Sequence, residues 1–515
     1  MTQTNAKPQD VHSTILIERL SEGWTPEHSG WPQELMRRFA CQLNATTELV
    51  ETTEANQFQF MLNMNDLCLR GMNNVRCLIL GAEQSTASVR KFWQNAATPG
   101  SLPFIFALSD DALKTVRENF PRDRCLTLDR EEIKKLLGSA EPQRSVKQLL
   151  WQQIPRRRLD PYNLLTPAEG VMFFGRQNEL ARLIDEDTTS FAIAGPSRIG
   201  KTSLLKRYHQ EMVRRRDPNS RHRFLISFTD CRDTSSDNVA RYLAMKIAPS
   251  FKSDKITTDG LQRFLTYHAK DGPLDLLLDE VEFVCESDAF KALGAATRDG
   301  HCRLILCGKE VLLKMALNAQ SVLGCRLTLT QLEPLDENAA TDLILKPFED
   351  LGFSVAEPNQ LVENVLRLTG RLPYLLQFCG QKLAELAIEQ NVGTISMEHV
   401  ELLRWDFVTA QYFVRPLIDL ADPETRLLGL SLLKNCAKEF SVSAVQELAH
   451  SIGISVTPDR ALDVCNSLVI NNVLTWRGGS YRIANDGLHF FASQGGYLDH
   501  ALKESEKLVK ARLKQ

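Results

Sequence analysis

No stretch of this 515-residue chain stays apolar for the roughly 18 residues that a membrane-spanning helix needs, and the polar opening Met1 to Asp10 lacks the apolar core of a secretory signal. A cytoplasmic protein with no membrane contact is the expectation. Neither sign of charge dominates: 61 Lys and Arg face 64 Asp and Glu, a net charge of −3. That balance argues against wholesale coating of nucleic acid, although it leaves room for a local basic face. The twelve cysteines are scattered among mostly apolar neighbours and form no C-x-x-C pair. A disulfide framework and a zinc site are both disfavoured, and reduced, buried thiols are expected. Histidines are few, and neither H-E-x-x-H nor G-x-S-x-G occurs, so the common metalloprotease and hydrolase signatures are missing. The chain also lacks internal repeats and low-complexity segments.

What is present is ordinary globular composition, 43% hydrophobic and 24% charged, at a length that implies two to four domains. From Ser13 to about Arg70 the apolar residues Ile15, Leu16, Ile17 and Leu20, then Leu35, Met36 and Phe39, fall at three- and four-residue spacings, which predicts mostly helix. Three short apolar runs follow, at Cys77–Leu80, Pro103–Ala107 and Cys125–Leu128. The last two lead into acidic helix starts at Ser109-Asp110-Asp111 and Asp129-Arg130-Glu131-Glu132. This alternation predicts a small α/β unit with parallel strands. Between Ile154 and Gly170, Pro155, Pro161 and Pro167 join the run Arg156-Arg157-Arg158 and the periodicity stops, which marks a boundary. The basic run reads first as a solvated surface and, as the alternative, as a contact to a ligand bound next door.

The strongest signal lies just beyond. Phe191-Ala192-Ile193-Ala194 reads as a buried strand. It is followed at once by Gly195-Pro196-Ser197-Arg198-Ile199-Gly200-Lys201-Thr202, and Ser203 continues into helical sequence. This is the full G-x-x-x-x-G-K-[ST] spacing in its strand-to-helix context. The glycines let the backbone wrap a polyphosphate, the amide groups and helix N-terminus supply fixed positive potential, and Lys201 adds a full charge. Thr202 offers a hydroxyl to Mg2+. Downstream, the apolar run Leu274 to Leu278 ends in Asp279-Glu280, so Asp279 is a candidate metal ligand and Glu280 a candidate to polarise the attacking water. Lys201, Asp279 and Glu280 are therefore the candidate catalytic residues, and hydrolysis rather than bare binding is the expectation. Further strands at Phe224–Phe228, Arg303–Cys307 and Leu327–Leu329 complete the five that a P-loop sheet uses. Lys309, in the loop after the fourth, stands where related ATPases carry a polar γ-phosphate sensor.

Together with Phe173-Phe174-Gly175-Arg176-Gln177-Asn178-Glu179-Leu180, Leu332-Glu333-Pro334-Leu335 and Thr369-Gly370-Arg371-Leu372-Pro373, these motifs resemble the AAA-related STAND ATPases, in the bacterial and archaeal branch related to origin-recognition proteins. The resemblance covers about residues 161 to 495. It implies an ATP/ADP-binding core, a helical lid and a winged helix that reports nucleotide state. It also implies that Phe174, Gly175 and Arg176 pack near the adenine and that Pro373 contacts nucleotide. Arg371 replaces the second glycine of the lid pattern, and it reads either as a phosphate partner or as a solvent-facing residue of a helix cap. Arg176 either approaches the nucleotide or pairs with Glu179, the second being preferred. Arg298, Arg303 and Arg326 are all candidates for an arginine finger, and spacing singles out none of them.

From Glu424 the chain predicts helices over 424–436, 441–452 and 457–469, then a glycine-turned hairpin across Asn472–Trp476 and Tyr481–Ala484, the plan of a winged helix. Arg460, Asn466 and Asn471 on the third helix are offset by Asp459 and Asp463, with Arg477 and Arg482 on the wing. A protein-facing or intramolecular role is preferred over DNA reading. The charged stretch Lys503 to Lys514 predicts a surface helix with Leu508, Val509 and Leu513 on one side.

The expected fold class is α/β: an N-terminal helical and small α/β unit (1–155), a P-loop core with a parallel sheet and flanking helices (156–335), a helical lid (336–420), a winged helix (421–495) and a terminal helix (496–515). The expected function is a slow, conditional, Mg2+-dependent ATPase that acts as a nucleotide switch in signalling, regulation or antiviral defence, with a protein partner or self-assembly. The rivals are a DNA-associated ATPase of the initiator or transposition-regulator type and a protein that keeps ADP as a structural cofactor.

Overall fold

A computed structural model describes residues 31–512, apart from 55–56, 65–66, 82–85, 97–100, 122, 216–221, 232–234, 251–255, 319–320, 322, 324–325, 405–406, 421, 436–438 and 494–496. The helix expected between residues 13 and 30 lies outside the described residues. The rest of the expected helical region is only partly helical. Trp31–Gln42 forms a helix, but the chain then turns into strands β1 (Ala45–Glu54) and β2 (Gln57–Met64). The reason is legible in hindsight. Phe60, Leu62 and Met64 are buried while Gln59, Met61 and Asn63 between them are only partly so, a period of two rather than 3.6. β3 (Val75–Leu80), β4 (Phe104–Ala107) and β5 (Leu126–Leu128) follow, giving a mixed sheet in the order β1-β2-β3-β4-β5. Its first pairings are antiparallel, and β3, β4 and β5 run parallel as expected. The acidic starts cap their helices: Ser109 accepts from the Ala112 amide, and Asp129 and Glu132 form a capping box.

The second sheet is wholly parallel, with β6 (Ser190–Ala194), β7 (Arg223–Ser227), β8 (Leu274–Asp279), β9 (Cys302–Gly308) and β10 (Leu327–Gln331) in the order β10-β6-β9-β8-β7. β6, β8 and β9 are buried along their whole length, as strands covered by helices on both faces must be. At the amino end of β9, Arg303 is buried and donates to the carbonyls of Thr189, Leu183 and Glu186 and to the Tyr208 hydroxyl. All of its donors serve the core, so it is not available as an arginine finger. Arg298 and Arg326 are exposed.

The boundary segment does not run free over the surface. Leu159 and Tyr162 are fully buried, and the Tyr162 hydroxyl donates to the carbonyls of Leu343 and Ile344. The three arginines make local contacts, Arg156 over the Phe353 ring, Arg157 with Glu389 and Arg158 with Asp123, and none lines the cleft described below. One apolar cluster therefore runs from the N-terminal sheet through Tyr162 into the helices Glu337–Asp350, Pro358–Thr369 and Pro373–Glu389. Asp350 fastens the joint: it pairs with Lys147, accepts from the Cys68 amide, and its carbonyl accepts from Trp151.

After the helix Phe407–Ile418 come three helices, Pro423–Lys434, Val442–Ser451 and Pro458–Ile470, and the strands β13 (Glu439–Phe440), β14 (Leu474–Arg477) and β15 (Ser480–Ile483); β11 (Ser354–Val355) and β12 (Thr394–Ile395) lie earlier, beside the lid helices. Ser441 and Thr457 cap the second and third helices. The terminal helix Tyr497–Arg512 packs on Pro423–Lys434 through buried Leu498, Leu502 and Val509, whereas Leu508 faces solvent and Leu513 lies outside the described residues. No helix among the described residues is long and apolar enough to cross a membrane.

The Tyr162 anchor yields a test. A Cβ added at Gly380 would overlap the Tyr162 ring, and that ring is locked by its two hydrogen bonds. Gly380→Ala is expected to destabilise the chain by roughly 1–3 kcal/mol through overpacking, read as a lower denaturant midpoint. An unchanged midpoint would show that the segment is not held as described.

Candidate nucleotide site

β6 ends at Ala194, and the chain wraps through Gly195, Pro196, Ser197, Arg198, Ile199 and Gly200 before the helix Lys201–Arg214 begins. Two residues of this loop need left-handed backbone, Gly200 at φ 107° and Arg198 at φ 63°. The Gly200 conformation suits a residue without Cβ, whereas Arg198 adopts its turn at a steric cost. The Gly195 amide donates to Gly308 on β9 at 3.2 Å, tying the loop to the neighbouring strand. Lys201 folds back so that its ammonium donates to the carbonyls of Gly195 at 2.8 Å and Pro196 at 2.7 Å. Burial lowers the Lys201 pKa, with nearby Glu282 and Asp279 among the groups that oppose the shift.

The acids at the end of β8 meet this loop from across the sheet. The Thr202 hydroxyl donates to Asp279 at 2.6 Å, and the Glu280 amide donates to the other Asp279 oxygen at 3.0 Å. Asp279 is only 5% exposed, and burial raises its pKa while those two hydrogen bonds pull it down. Glu280 occupies left-handed backbone, φ 56°, and accepts a short hydrogen bond from the Thr229 hydroxyl beyond β7. Thr202 and Asp279 supply hard oxygen donors of the kind that magnesium takes. Among the described residues no group of three or more His, Cys, Asp or Glu is arranged to hold a metal. An ion here would complete its shell from phosphate oxygens and water, which suits Mg2+.

The loop and the acids line a cleft of about 760 Å³. Ser197, Arg198, Ile199, Gly200, Lys201, Thr202 and Ser203 form one wall with Asp279 and Glu280, while Asn163 to Ala168 and Phe173, Phe174 and Arg176 form another. Pro373, Tyr374 and Gln377 enter from the lid helix, which Pro373 begins. Gly175 does not line the cleft. Its left-handed φ of 69° and its packing against Leu335 and Ala339 instead shape the turn that carries Phe174 and Arg176.

Arg176 pairs with Glu179 at 3.1 Å and also donates to the carbonyls of Ile199 and Glu333, so it fixes the turn, as the preferred expectation had it, while still reaching the cleft wall. Arg371 is exposed and is not among the cleft residues. Its left-handed backbone follows Gly370 at the helix end, and its carbonyl accepts from the Leu335 amide, so it is a solvent-facing cap residue. Lys309 does line the cleft and lies 3.4 Å from Glu282. The sequence reading missed Glu282, Thr229, Gln377, Arg415 and Asp419. The last two form an ion pair at the end of the helix Phe407–Ile418 and reach the cleft only because the chain returns there, which leaves no local signature.

Residues 159–400 match the family model Novel STAND NTPase 1. The loop and the acids described above lie within this matched segment, which is similar to the STAND NTPases. No curated protein matches the chain in sequence. Among solved structures it is similar to a Walker-type ATPase of Pyrococcus abyssi, at 15% identity and TM-score 0.48, covering 64% of this chain and 99% of that one. It is also similar to the ORC2 protein of Aeropyrum pernix, at 14% identity and TM-score 0.45, covering 66% and 95%. A further similarity is to the RuvB Holliday junction branch migration motor of Thermotoga maritima, at 14% identity and TM-score 0.36, covering 62% and 96%.

The raised pKa of Asp279 sets a stability test. Folding favours the protonated acid, so its contribution is fully present below about pH 4, the unfolded value, and is lost as pH rises through the higher folded pKa. In magnesium-free, nucleotide-free buffer Asp279→Asn is therefore expected to melt above the wild type at pH 7, with the gap closing towards pH 4. A variant that melts lower at pH 7 would contradict the cost assigned to this buried charge.

Proposed function

We propose that the protein is a cytoplasmic, Mg2+-dependent ATPase that works as a slow, nucleotide-dependent switch in signalling, regulation or antiviral defence. One observation carries the reading: the Thr202 hydroxyl and the Asp279 carboxylate meet at 2.6 Å beneath a loop whose lysine is already folded over it. Ser197 to Ser203 supply amides and a helix N-terminus for the phosphates, Gly195 and Pro196 shape the bend before them, and Lys201 supplies the mobile charge, exchanging its loop carbonyls for phosphate oxygens. Thr202 and Asp279 would hold Mg2+, which would neutralise charge on the terminal phosphates. Glu280 accepts a proton from the attacking water, and Thr229 holds its carboxylate in place until substrate is aligned. Phe174, Arg176 and Pro373 line the same cleft and are assigned here to the nucleoside.

The C-terminal helices and hairpin act as a winged-helix module turned towards protein rather than DNA. Arg460 is paired with Asp422 and Glu424, and Arg482 with Glu439. Asn471 faces Glu310 of the core. A reading helix needs such groups free for phosphates and base edges.

Phosphate release and nucleotide binding test this reading. Lys201→Ala is expected to weaken ATP binding by about 10- to 100-fold, the worth of a charged hydrogen bond. Glu280→Gln is expected to keep ATP bound while cutting turnover by about 100-fold or more. Equal ATP affinity for wild type and Lys201→Ala would refute the role of the lysine. Tight duplex binding that weakens steeply with salt would favour the DNA-associated rival.

A further inference from the structure

The cations that line the cleft are Arg176, Arg198, Lys201, Lys309 and Arg415. All but one already have partners. Arg176 pairs with Glu179, Lys309 with Glu282 and Arg415 with Asp419, while Lys201 donates to the carbonyls of Gly195 and Pro196. Arg198 differs: among the described residues its guanidinium makes no hydrogen bond and no ion pair. A planar group with five donors therefore stands unused beside the place where the phosphates must lie.

The backbone at this position sharpens the contrast. Arg198 holds left-handed φ at 63°, where a residue without Cβ would sit at no steric cost, as Gly200 does two residues on at φ 107°. Strain of this kind persists only where the surrounding structure imposes it, and it gathers at sites of function. Arg198 is rooted between the end of β6 and the start of the helix Lys201–Arg214, in the middle of the bend that wraps the anion. Its charge also acts on the Tyr374 hydroxyl in the first turn of the lid helix, where it opposes the rise in pKa that burial causes. The guanidinium thus lies on the side of the phosphate loop that faces the lid. The other arginines with a claim on this task do not reach the cleft: Arg303 is held inside the core, and Arg298 and Arg326 are exposed elsewhere.

We infer that Arg198 is a catalytic residue, an arginine supplied from within the phosphate loop that stabilises the charge developing as ATP is cleaved, so that one chain needs no arginine from a second copy. The inference rests on the ATPase reading of the cleft. In the step, the water oxygen bonds to the γ-phosphorus as the bond from that phosphorus to the β–γ bridging oxygen breaks. The water proton goes to Glu280, and the electron pair of the broken bond stays on the bridging oxygen, which leaves as part of ADP. Arg198 exchanges no proton. Its fork donates to the bridging oxygen and to one γ-oxygen, and those bonds strengthen as negative charge gathers there. A group that binds the transition state better than the bound substrate alters turnover and leaves ground-state affinity nearly unchanged.

Arg198→Gly tests this with little risk to the fold, because glycine suits the left-handed turn. The full chain is assayed with Mg2+ for single-turnover phosphate release, and for affinity towards fluorescent ADP, a non-hydrolysable ATP analogue, and ADP with aluminium fluoride as a mimic of the transition state. The variant should bind ADP and the analogue within about threefold of the wild type, release phosphate about 100-fold more slowly or worse, and lose the extra affinity that aluminium fluoride confers on ADP. Wild-type turnover per chain should stay constant on dilution. A variant that keeps wild-type turnover and wild-type affinity for the mimic would overturn the inference, as would one whose affinity for ADP falls as far as its rate. Wild-type turnover per chain that rises in proportion to protein concentration would place the arginine in a second copy and also overturn it. A wild type that binds nucleotide without cleaving it, or that binds none, would overturn the inference together with the ATPase reading beneath it.

Discussion

Charge held out of water at the carboxyl ends of parallel strands is the constraint around which this molecule is arranged. Lys201, Asp279 and Glu282 are each costly to bury alone, and their proximity in one cleft offsets part of that cost. The offset requires β6 and β8 to end at the same level with β9 between them, which the order of the sheet provides. Gly195 bonded to Gly308, and Thr202 bonded to Asp279, are the two ties that hold those levels together. The buried Arg303 at the opposite end of β9 anchors the same strand to three backbone carbonyls, so the sheet is pinned at both ends.

The units attached to this sheet are not beads on a string. Asp350 binds the N-terminal unit to the lid through a lysine, a backbone amide and a tryptophan, and Tyr162 threads the connecting segment into the lid's own core. The same segment goes on to form one wall of the cleft, where the Ala168 amide donates to Ser203 in the first turn of the phosphate-loop helix. The segment that lines the cleft is thus continuous in the chain with the residues that pack the N-terminal unit against the lid. Buried, packed joints of this type shift between discrete arrangements rather than bending continuously.

Local chemistry explains which site residues could be read without a structure. The phosphate loop is a contiguous run whose glycines, lysine and threonine act on one ligand, so its spacing is its signature. Asp279 and Glu280 are legible because the apolar run Leu276-Leu277-Leu278 leads straight into them at the carboxyl end of β8, beside the phosphate loop. Arg176 shows the reverse. Its identity suited a ligand contact, yet Glu179 three residues on and two loop carbonyls claim most of its donors. The N-terminal hairpin departs from the helical expectation because the three- and four-residue spacing of Leu35, Met36 and Phe39 stops at Gln42, beyond which alternate residues face the core.

By itself the sequence determined the phosphate loop, the acids opposite it, the five strands of the parallel sheet and the three C-terminal helices, because each depends on residues close together in the chain. Tertiary structure alone decided that Glu282 lies against Lys309, that Arg303 is spent inside the core, that Arg415 and Asp419 return to the cleft, and that Glu310 grips Ser467. Those outcomes turn on which charged group finds a partner when distant segments are brought out of water together, and no spacing along the chain encodes that choice.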